Sequence, residues 1–212
     1  MRVELSGTEV HTIECSGVVP CAAARSRVPA SLALREQDGG GPVGLLVFAM
    51  RGLGATLPLR IGPRFDYGEV LWRIGVVWRG EPAWFAVACD LDRASIRTMG
   101  KWMVRYPTRR AAIDVRAAGA SVRAAAGTLE VAAVATAITP DAAVPLPLLV
   151  GTDGALFHIP WREDPAPHRR EAAITVWDAG LVDATLGAAV RWDPTGLVHA
   201  GRIHRCGIAT RI

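Results

Sequence analysis

Hydrophobic and polar residues alternate along much of this chain, and the clearest alternation runs from Tyr67 to Trp78. One face of the strand that it predicts carries Val70, Trp72, Ile74, Val76 and Trp78. The other face carries Glu69, Leu71, Arg73, Gly75 and Val77, because successive side chains of a strand point to opposite sides. The turn-like residues from Arg79 to Pro82 follow, and Ala83 to Cys89 then predicts the returning strand of a hairpin.

Similar patterns predict further short strands along the rest of the chain. They cover Val3 to Ile13, Val43 to Met50, Arg109 to Ala117, Ser121 to Ala126, Thr128 to Thr139, Ala155 to Arg162, Glu171 to Trp177 and Gly196 to Ile208. Short helices are predicted over Val18 to Arg27, after Asp92 as the N-cap, and over Gly180 to Ala188. Short strands joined by glycine-rich turns favour a mainly β (α+β) fold with an antiparallel sheet closed or folded on itself.

The length and composition fit one domain that spans residues 1–212. Half of the 212 residues are hydrophobic, which is enough to bury a core without disulfides. The formal charge is +4, but the arginines are scattered and acidic residues accompany them. Nucleic-acid surfaces usually concentrate basic residues and interleave aromatic ones, so we expect no nucleic-acid partner.

No apolar run approaches the roughly 20 residues of a membrane span, so we expect no membrane partner. The first residues, Met1 to Leu5, lack the apolar centre of a signal peptide, which predicts a cytoplasmic protein. In that reducing compartment we expect the four cysteines, Cys15, Cys21, Cys89 and Cys206, to be small buried hydrophobic residues.

Metal and cofactor motifs are absent from the sequence. His199 and His204 are five residues apart, so on one strand they would face opposite sides and not share a metal. There is no phosphate-binding loop and no dinucleotide fingerprint. We therefore expect neither a metal nor a cofactor.

The segment from Asp66 to Ala112 carries an ordered set of short motifs. A Tyr67-x-Glu69 strand leads through a hairpin to Asp90-Leu91-Asp92, then Gly100-Lys101, then Tyr106-Pro107 and basic residues. This order resembles the acetoacetate decarboxylase superfamily, and an uncharacterised bacterial branch of it most closely; His158-Ile159-Pro160-Trp161 matches a later segment of that branch. The resemblance implies a cone-shaped antiparallel β-barrel or half-barrel with a ligand cavity inside.

The family's catalytic lysine is missing from the matching position. The decarboxylases use the first lysine of a Pro-Lys-Lys motif to form an imine, whereas this chain has Thr108-Arg109-Arg110 after Pro107. Arginine cannot replace that amine, because its guanidinium stays protonated. Lys101, the single lysine, stands where the family has an arginine, so it is either a relocated amine or a conservative replacement of an ion-pairing residue.

The resemblance also suggests the remaining site residues. Glu69 is the predicted acid–base group, and Arg73, Tyr106, Thr108 and Arg109 are the predicted substrate-binding residues. Glu69 and Arg73 face either the cavity or solvent. Arg109 lies in phase with apolar neighbours and needs a buried partner, either Glu69 or a bound carboxylate.

Three functions remain open at this stage. The first is a lyase-type enzyme that binds a small oxo- or carboxylate-containing molecule and uses no imine at the family position. The second is a non-catalytic small-molecule-binding protein, and the third is an imine-forming decarboxylase or aldolase that uses Lys101. The expected partner is a small-molecule ligand, and a homo-oligomer is compatible with the sequence.

Overall fold

The computed structural model describes residues 4–56, 62–139, 146–164, 166 and 168–212. The strands are β1 (Glu4–Val19), β2 (Ala33–Leu34), β3 (Gly41–Thr56), β4 (Phe65–Trp78), β5 (Glu81–Leu91), β6 (Thr108–Arg116), β7 (Gly119–Ala124), β8 (Gly127–Ile138), β9 (Leu148–Thr152), β10 (Ala155–Ile159), β11 (Trp161–Glu163), β12 (Arg170–Ala179), β13 (Arg191–His199), β14 (Arg202–Gly207) and β15 (Thr210–Arg211). The helices are α1 (Cys21–Arg27), α2 (Ala94–Met99), α3 (Leu181–Leu186) and a π-helix over Gly100–Val104 that continues α2. Val3, the first residue of a predicted strand, lies outside the described residues.

The strands form one sheet that closes into a ring. Its order is β5, β6, β7, β8, β12, β13, β1, β3 and β4, and β4 pairs with β5 to complete the circuit. Most pairs are antiparallel, but β5 pairs in parallel with both β6 and β9. The predicted mainly β, closed architecture with a few short helices is therefore confirmed.

Alternate residues of the ring strands enter two separate hydrophobic clusters. The first cluster contains Val70, Trp72, Ile74 and Val76 of β4 together with residues from strands around the ring. The second cluster contains Leu71 of β4 and lies where α2 and the π-helix pack against the sheet. Both faces of β4 are thus buried, which explains why its hydrophobic pattern is nearly continuous.

Several predicted element boundaries are wrong, and each has a local reason. The helix predicted from Val18 begins at Cys21, because Val18 and Val19 continue β1 and pair with β3. Asp92 does not cap α2, since Arg93 occupies the N-cap position and the Asp92 carboxylate accepts a bond from the Gly68 amide.

Two predicted strands are each divided in the structure. Pro160 separates β10 from β11, because proline has no amide hydrogen to donate to a neighbouring strand. Ala200 and Gly201 separate β13 from β14, and Gly201 adopts the left-handed conformation with φ of 75°. Among the described residues, no helix is long and apolar enough to span a membrane.

Candidate functional site

A small cavity of about 40 Å³ lies within the second cluster. Apolar residues form most of its wall: Leu5, Leu53, Leu91, Ile96, Met99, Gly100, Val104 and Trp161. The polar residues of the wall are Tyr67, Glu69, Tyr106, His204 and Cys206. An apolar cavity with a few convergent polar groups is the usual form of a small-molecule site, and this volume suits about three waters or one very small ligand.

Glu69 is a buried carboxyl group on the cavity wall, with only 4% of its surface exposed. Its Oε1 accepts a bond from the Cys89 thiol over 3.4 Å, and the Tyr67 hydroxyl also donates to it. Burial raises the pKa of Glu69 to about 7, and this effect outweighs the charge of His204 and the two donated bonds. A carboxyl group with this pKa exchanges a proton near neutral pH, as a general acid–base residue must.

The neighbouring Gly68 fixes the position of Glu69. A Cβ atom at Gly68 would lie 2.8 Å from Cγ2 of Ile113, so only glycine allows β4 to approach β6 this closely. The Gly68 amide donates to Asp92 Oδ2 over 3.0 Å, which ties β4 to the segment that leads into α2. The bond therefore joins β4, the strand that carries Glu69, to the segment before α2, the helix that packs over the cavity.

Tyr106 faces Glu69 across the same cavity. Its hydroxyl oxygen is buried and has no hydrogen-bond partner among the residues that the structure describes. Burial and the negative charge of Glu69 raise the pKa of Tyr106 well above its usual value, so the group keeps its proton. A buried hydroxyl without a partner is costly, and a bound ligand is one way to satisfy it.

A second buried carboxylate, Glu9, contacts two histidines, one of which is the cavity residue His204. Its Oε1 is 3.1 Å from Nδ1 of His204, and its Oε2 is 3.7 Å from Nδ1 of His199. The prediction that these histidines face opposite sides is wrong, because the turn at Ala200 and Gly201 separates them onto β13 and β14, which both pair with β1.

The charges of this pair stabilise each other. Burial opposes ionisation of Glu9, but the hydrogen bond and charge of His204 outweigh it and lower the pKa of Glu9. Burial likewise opposes the charged form of His204, but hydrogen bonds to Cys206 and Glu9 outweigh it and raise the pKa of His204 to about 10. At neutral pH the structure thus holds an imidazolium ring on the cavity wall beside a buried carboxylate.

Glu163 lies close to Glu9 and His204. One atom that could bind a metal, from each of these three residues, lies within 4.8 Å of the corresponding atoms of the other two. The carboxylate oxygens are already engaged: Thr12 and His204 bond to Glu9, and Trp161 and Arg202 bond to Glu163. We interpret this group as a charge-compensated network of the protein and not as a set of metal ligands.

The comparisons with known proteins concern the whole chain. No family model and no curated protein matches the sequence. A structure of an acetoacetate decarboxylase superposes with a TM-score of 0.75 at 14% identity and covers 98% of this chain and 88% of that one. An acetoacetate decarboxylase-like enzyme from Sphingomonas wittichii gives 0.69 at 15% identity, covering 100% and 92%. The enduracididine biosynthesis enzyme MppR, complexed with pyruvate, gives 0.71 at 14% identity, covering 100% and 90%.

The chain has the acetoacetate decarboxylase-like fold. The resemblance of the Asp66 to Ala112 segment is confirmed at the level of fold. The shared identity is low, so the functional residues of this chain must be judged from its own geometry.

Within this fold, Lys101 and Thr108 are not among the residues that line the Glu69 cavity. Lys101 is exposed on the π-helix and, together with Arg27, Thr108 and Arg109, lines a second groove of about 410 Å³, to whose wall Tyr106 also contributes. Thr108 is the first residue of β6, and its hydroxyl donates to the Arg97 carbonyl over 3.4 Å. The roles predicted for both residues stay predictions.

The two predicted carboxylate-binding arginines are engaged by protein carboxylates. Arg109 forms a bidentate pair with the fully buried Asp90, at 2.7 Å for each bond, so the expected pairing with Glu69 is wrong, and its substrate-binding role stays a prediction. The reason is that Arg109 and Asp90 lie opposite each other in the parallel pairing of β5 and β6. Arg73 bonds to Glu14 over 2.9 Å. Neither arginine lines the cavity that contains Glu69.

Sequence reasoning did not find Glu9, His204 and Cys206. His204 and Cys206 are two residues apart, a spacing that predicts one shared strand face and that the sequence does display. Glu9 is 195 residues from His204, so no local pattern connects them. Only the pairing of β1 with β14 brings the Glu9 carboxylate to the imidazole of His204.

Proposed function

We propose that this chain binds a small oxo- or carboxylate-containing molecule in the cavity at Glu69 and acts on it without a lysine imine at the family position. Glu69 serves as the general acid–base group, and Tyr106 donates a hydrogen bond to the ligand oxygen. Both residues were predicted from the sequence as part of the site. The proposal makes the chain a divergent, lyase-type relative of the decarboxylases whose fold it shares.

The observation that carries the proposal is the position and proton affinity of Glu69. A carboxyl group that is 4% exposed, with a pKa raised to about 7 by burial, is suited to take and return a proton near neutral pH. The unpartnered Tyr106 hydroxyl in the same wall offers a ligand oxygen one donor. A group of this kind in a purely structural site would have to be satisfied by protein atoms.

The similar proteins support the ligand class. MppR has been solved with pyruvate and with the condensation product of pyruvate and imidazole 4-carboxaldehyde. Acetoacetate decarboxylase, another protein of this fold, is named for a small oxo acid. A cavity of about 40 Å³ limits the ligand to a similarly small molecule unless α2 and the π-helix move outward.

An imine is not expected, because no lysine lines this cavity in the part of the chain that the structure describes. The family position carries Thr108, and Lys101 is exposed in a different groove. The imine alternative is tested by incubating the protein with pyruvate or acetoacetate and borohydride and then measuring its mass. We expect no added mass; an adduct at Lys101 would replace this proposal with the imine mechanism.

The direct test is the Glu69→Gln variant, with Glu81→Gln as the matched control because Glu81 is exposed. Wild type is incubated with pyruvate, acetoacetate and the pair pyruvate plus imidazole 4-carboxaldehyde, and consumption is followed by proton NMR. We expect Glu69→Gln to lower turnover by about 100-fold or more, as loss of a general acid–base group does, and Glu81→Gln to leave it unchanged. Equal turnover in Glu69→Gln and wild type would contradict the assignment.

The same variants separate an enzyme from a binding protein. A non-catalytic binding protein would bind one of these compounds, as seen by titration calorimetry, and consume none of them. Loss of binding in Glu69→Gln without any turnover in wild type would favour that second function.

A further inference from the structure

His204 and Cys206 lie side by side on one face of β14. They are two residues apart in a strand, so their side chains point the same way, and both line the cavity at Glu69. Both are almost fully buried, at 5% and 7% exposed. The Trp161 ring packs edge-on against the His204 ring with centroids 4.0 Å apart, which fixes the orientation of the imidazole.

The Glu9 carboxylate is hydrogen-bonded to one nitrogen of the same imidazole, Nδ1. Its Oε1 is 3.1 Å from Nδ1 of His204, and its Oε2 accepts a bond from Thr12 over 2.9 Å. The other side of the ring is thereby left for Cys206, to which His204 is also hydrogen-bonded. The Cys206 sulfur additionally lies 3.3 Å from the Gly207 carbonyl oxygen.

This order of groups matches a general catalytic arrangement. A nucleophile bonded to a base, with the base oriented by a third group, recurs on unrelated folds and is recognised by geometry rather than by sequence position. Here the sulfur of Cys206, the ring of His204 and the carboxylate of Glu9 have that order. Tyr106, which is 7% exposed and whose hydroxyl has no partner among the described residues, lines the same cavity and points to a ligand there.

We propose that Cys206 is a catalytic nucleophile, activated by His204 and positioned through Glu9, that adds to the carbonyl carbon of a small oxo compound. The proposal rests on the proposed binding of such a compound in the cavity. It does not require Glu69 to be the acid–base group.

The covalent step balances with the groups at hand. In the resting pair the proton is already on the imidazolium of His204 and Cys206 is the thiolate; the sulfur forms a bond to the carbonyl carbon, and the π-electron pair of the C=O bond moves to oxygen. That alkoxide receives a proton from the imidazolium, or from Glu69 in its protonated form, and accepts a hydrogen bond from Tyr106. The reverse sequence releases the compound unchanged, so the addition needs no further reactant.

The adduct also indicates the class of reaction. A carbon–sulfur adduct at a former carbonyl carbon has no positively charged nitrogen to accept electrons from a neighbouring C–C bond. It therefore does not assist the loss of CO₂ as an imine does. Addition of Cys206 captures the oxo compound reversibly at its carbonyl carbon and leaves proton transfer to Glu69.

Alkylation of the native protein tests the proposal without knowledge of the substrate. The protein is treated with iodoacetamide for increasing times, quenched, digested and analysed by mass spectrometry, and the four free cysteines are compared within one sample. We expect Cys206 to react at least about tenfold faster than Cys15 and Cys89, which are also buried, because a thiolate is the reactive form. Reaction of Cys206 at or below the rate of Cys89 would overturn the proposal.

The His204→Gln variant tests the activation. It keeps a polar group beside Glu9 but removes the imidazolium that stabilises the thiolate, so we expect the Cys206 rate to fall about tenfold while that of the more accessible Cys21 stays the same. An unchanged Cys206 rate in the folded variant would contradict the role of His204.

A second measurement on a conservative variant keeps the proposal open to refutation if His204→Gln does not fold. The absorbance of wild type near about 240 nm, where thiolates absorb, is compared with that of Cys206→Ser. We expect one thiolate in the difference spectrum, and a flat difference would refute an activated sulfur. Neither experiment uses Glu69 or turnover, so their failure leaves the proposed function standing, and failure of the Glu69→Gln test leaves the Cys206 result standing.

Discussion

The proton affinity of Glu69 predicts how the stability of the protein changes with pH. Its pKa is raised from 4.5 to about 7 in the folded protein, mainly by burial. Between these two values the folded state holds a proton that the unfolded state releases, so the free energy of unfolding falls as pH rises through this range. At about 1.4 kcal/mol for each factor of ten in proton affinity, the loss is about 3 kcal/mol once the pH exceeds 7.

The Glu69→Gln variant removes this contribution, because glutamine fills a similar space without a titrating proton. We expect the variant to match wild type near about pH 4.5 and to exceed it by about 3 kcal/mol near about pH 8. With a urea dependence of about 2 kcal/mol per molar, the midpoint difference at high pH is about 1.5 M. Other groups titrate in both proteins, so the difference between the two curves isolates Glu69.

The assay is urea unfolding followed by tryptophan fluorescence at several pH values, with Glu81→Gln as the exposed control. The control should follow wild type at every pH. A Glu69→Gln curve that runs parallel to wild type would show that Glu69 is ionised throughout. That result would refute both the raised pKa and the acid–base role built on it.

Three further predictions concern other residues near the site. Tyr106→Phe should leave the free energy of unfolding within about 1 kcal/mol of wild type, because its hydroxyl lacks a described partner, but should weaken ligand affinity about tenfold in calorimetry. Arg109→Ala should lower the free energy of unfolding by about 3 kcal/mol, since it leaves the charge of the fully buried Asp90 without its cation and with only the bond from the Trp72 indole; a loss below about 1 kcal/mol would contradict this reasoning. The raised pKa of His204, about 10, contributes stability that is complete below pH 6.5 and lost as pH rises toward 10, so urea midpoints should fall less steeply there in His204→Gln than in wild type.

The sequence was sufficient to predict the closed β architecture and part of the site. The alternation from Tyr67 to Trp78 predicted β4, and its single glutamate proved to be the buried group of the cavity. The second hydrophobic face of β4 was less clear, because Leu71 alone among its neighbours is a large aliphatic residue. The choice between cavity and solvent for Glu69 therefore depended on what packs above the strand, which local periodicity does not report.

The partners of the charged residues were not predictable from spacing. Arg109 pairs with Asp90 because a parallel pairing of β5 and β6 places them opposite each other. The antiparallel sheet predicted from the sequence gave no reason to expect this contact. Glu9 meets His204 only because β1 pairs with β14 near the other end of the chain. Long-range strand pairing decides these contacts, whereas residue spacing decides only which face a side chain occupies.

The most direct test of ligand binding at Glu69 is a crystal structure of the protein soaked with a small oxo acid. The acid is chosen as the one that raises the thermal unfolding temperature most. We expect ligand density in the cavity between α2 and β4. One ligand oxygen should lie within hydrogen-bonding distance of the Tyr106 hydroxyl, and the Glu69 carboxyl group should contact the ligand. Density in the groove at Lys101, joined to its side-chain nitrogen, would contradict this expectation and restore the imine mechanism.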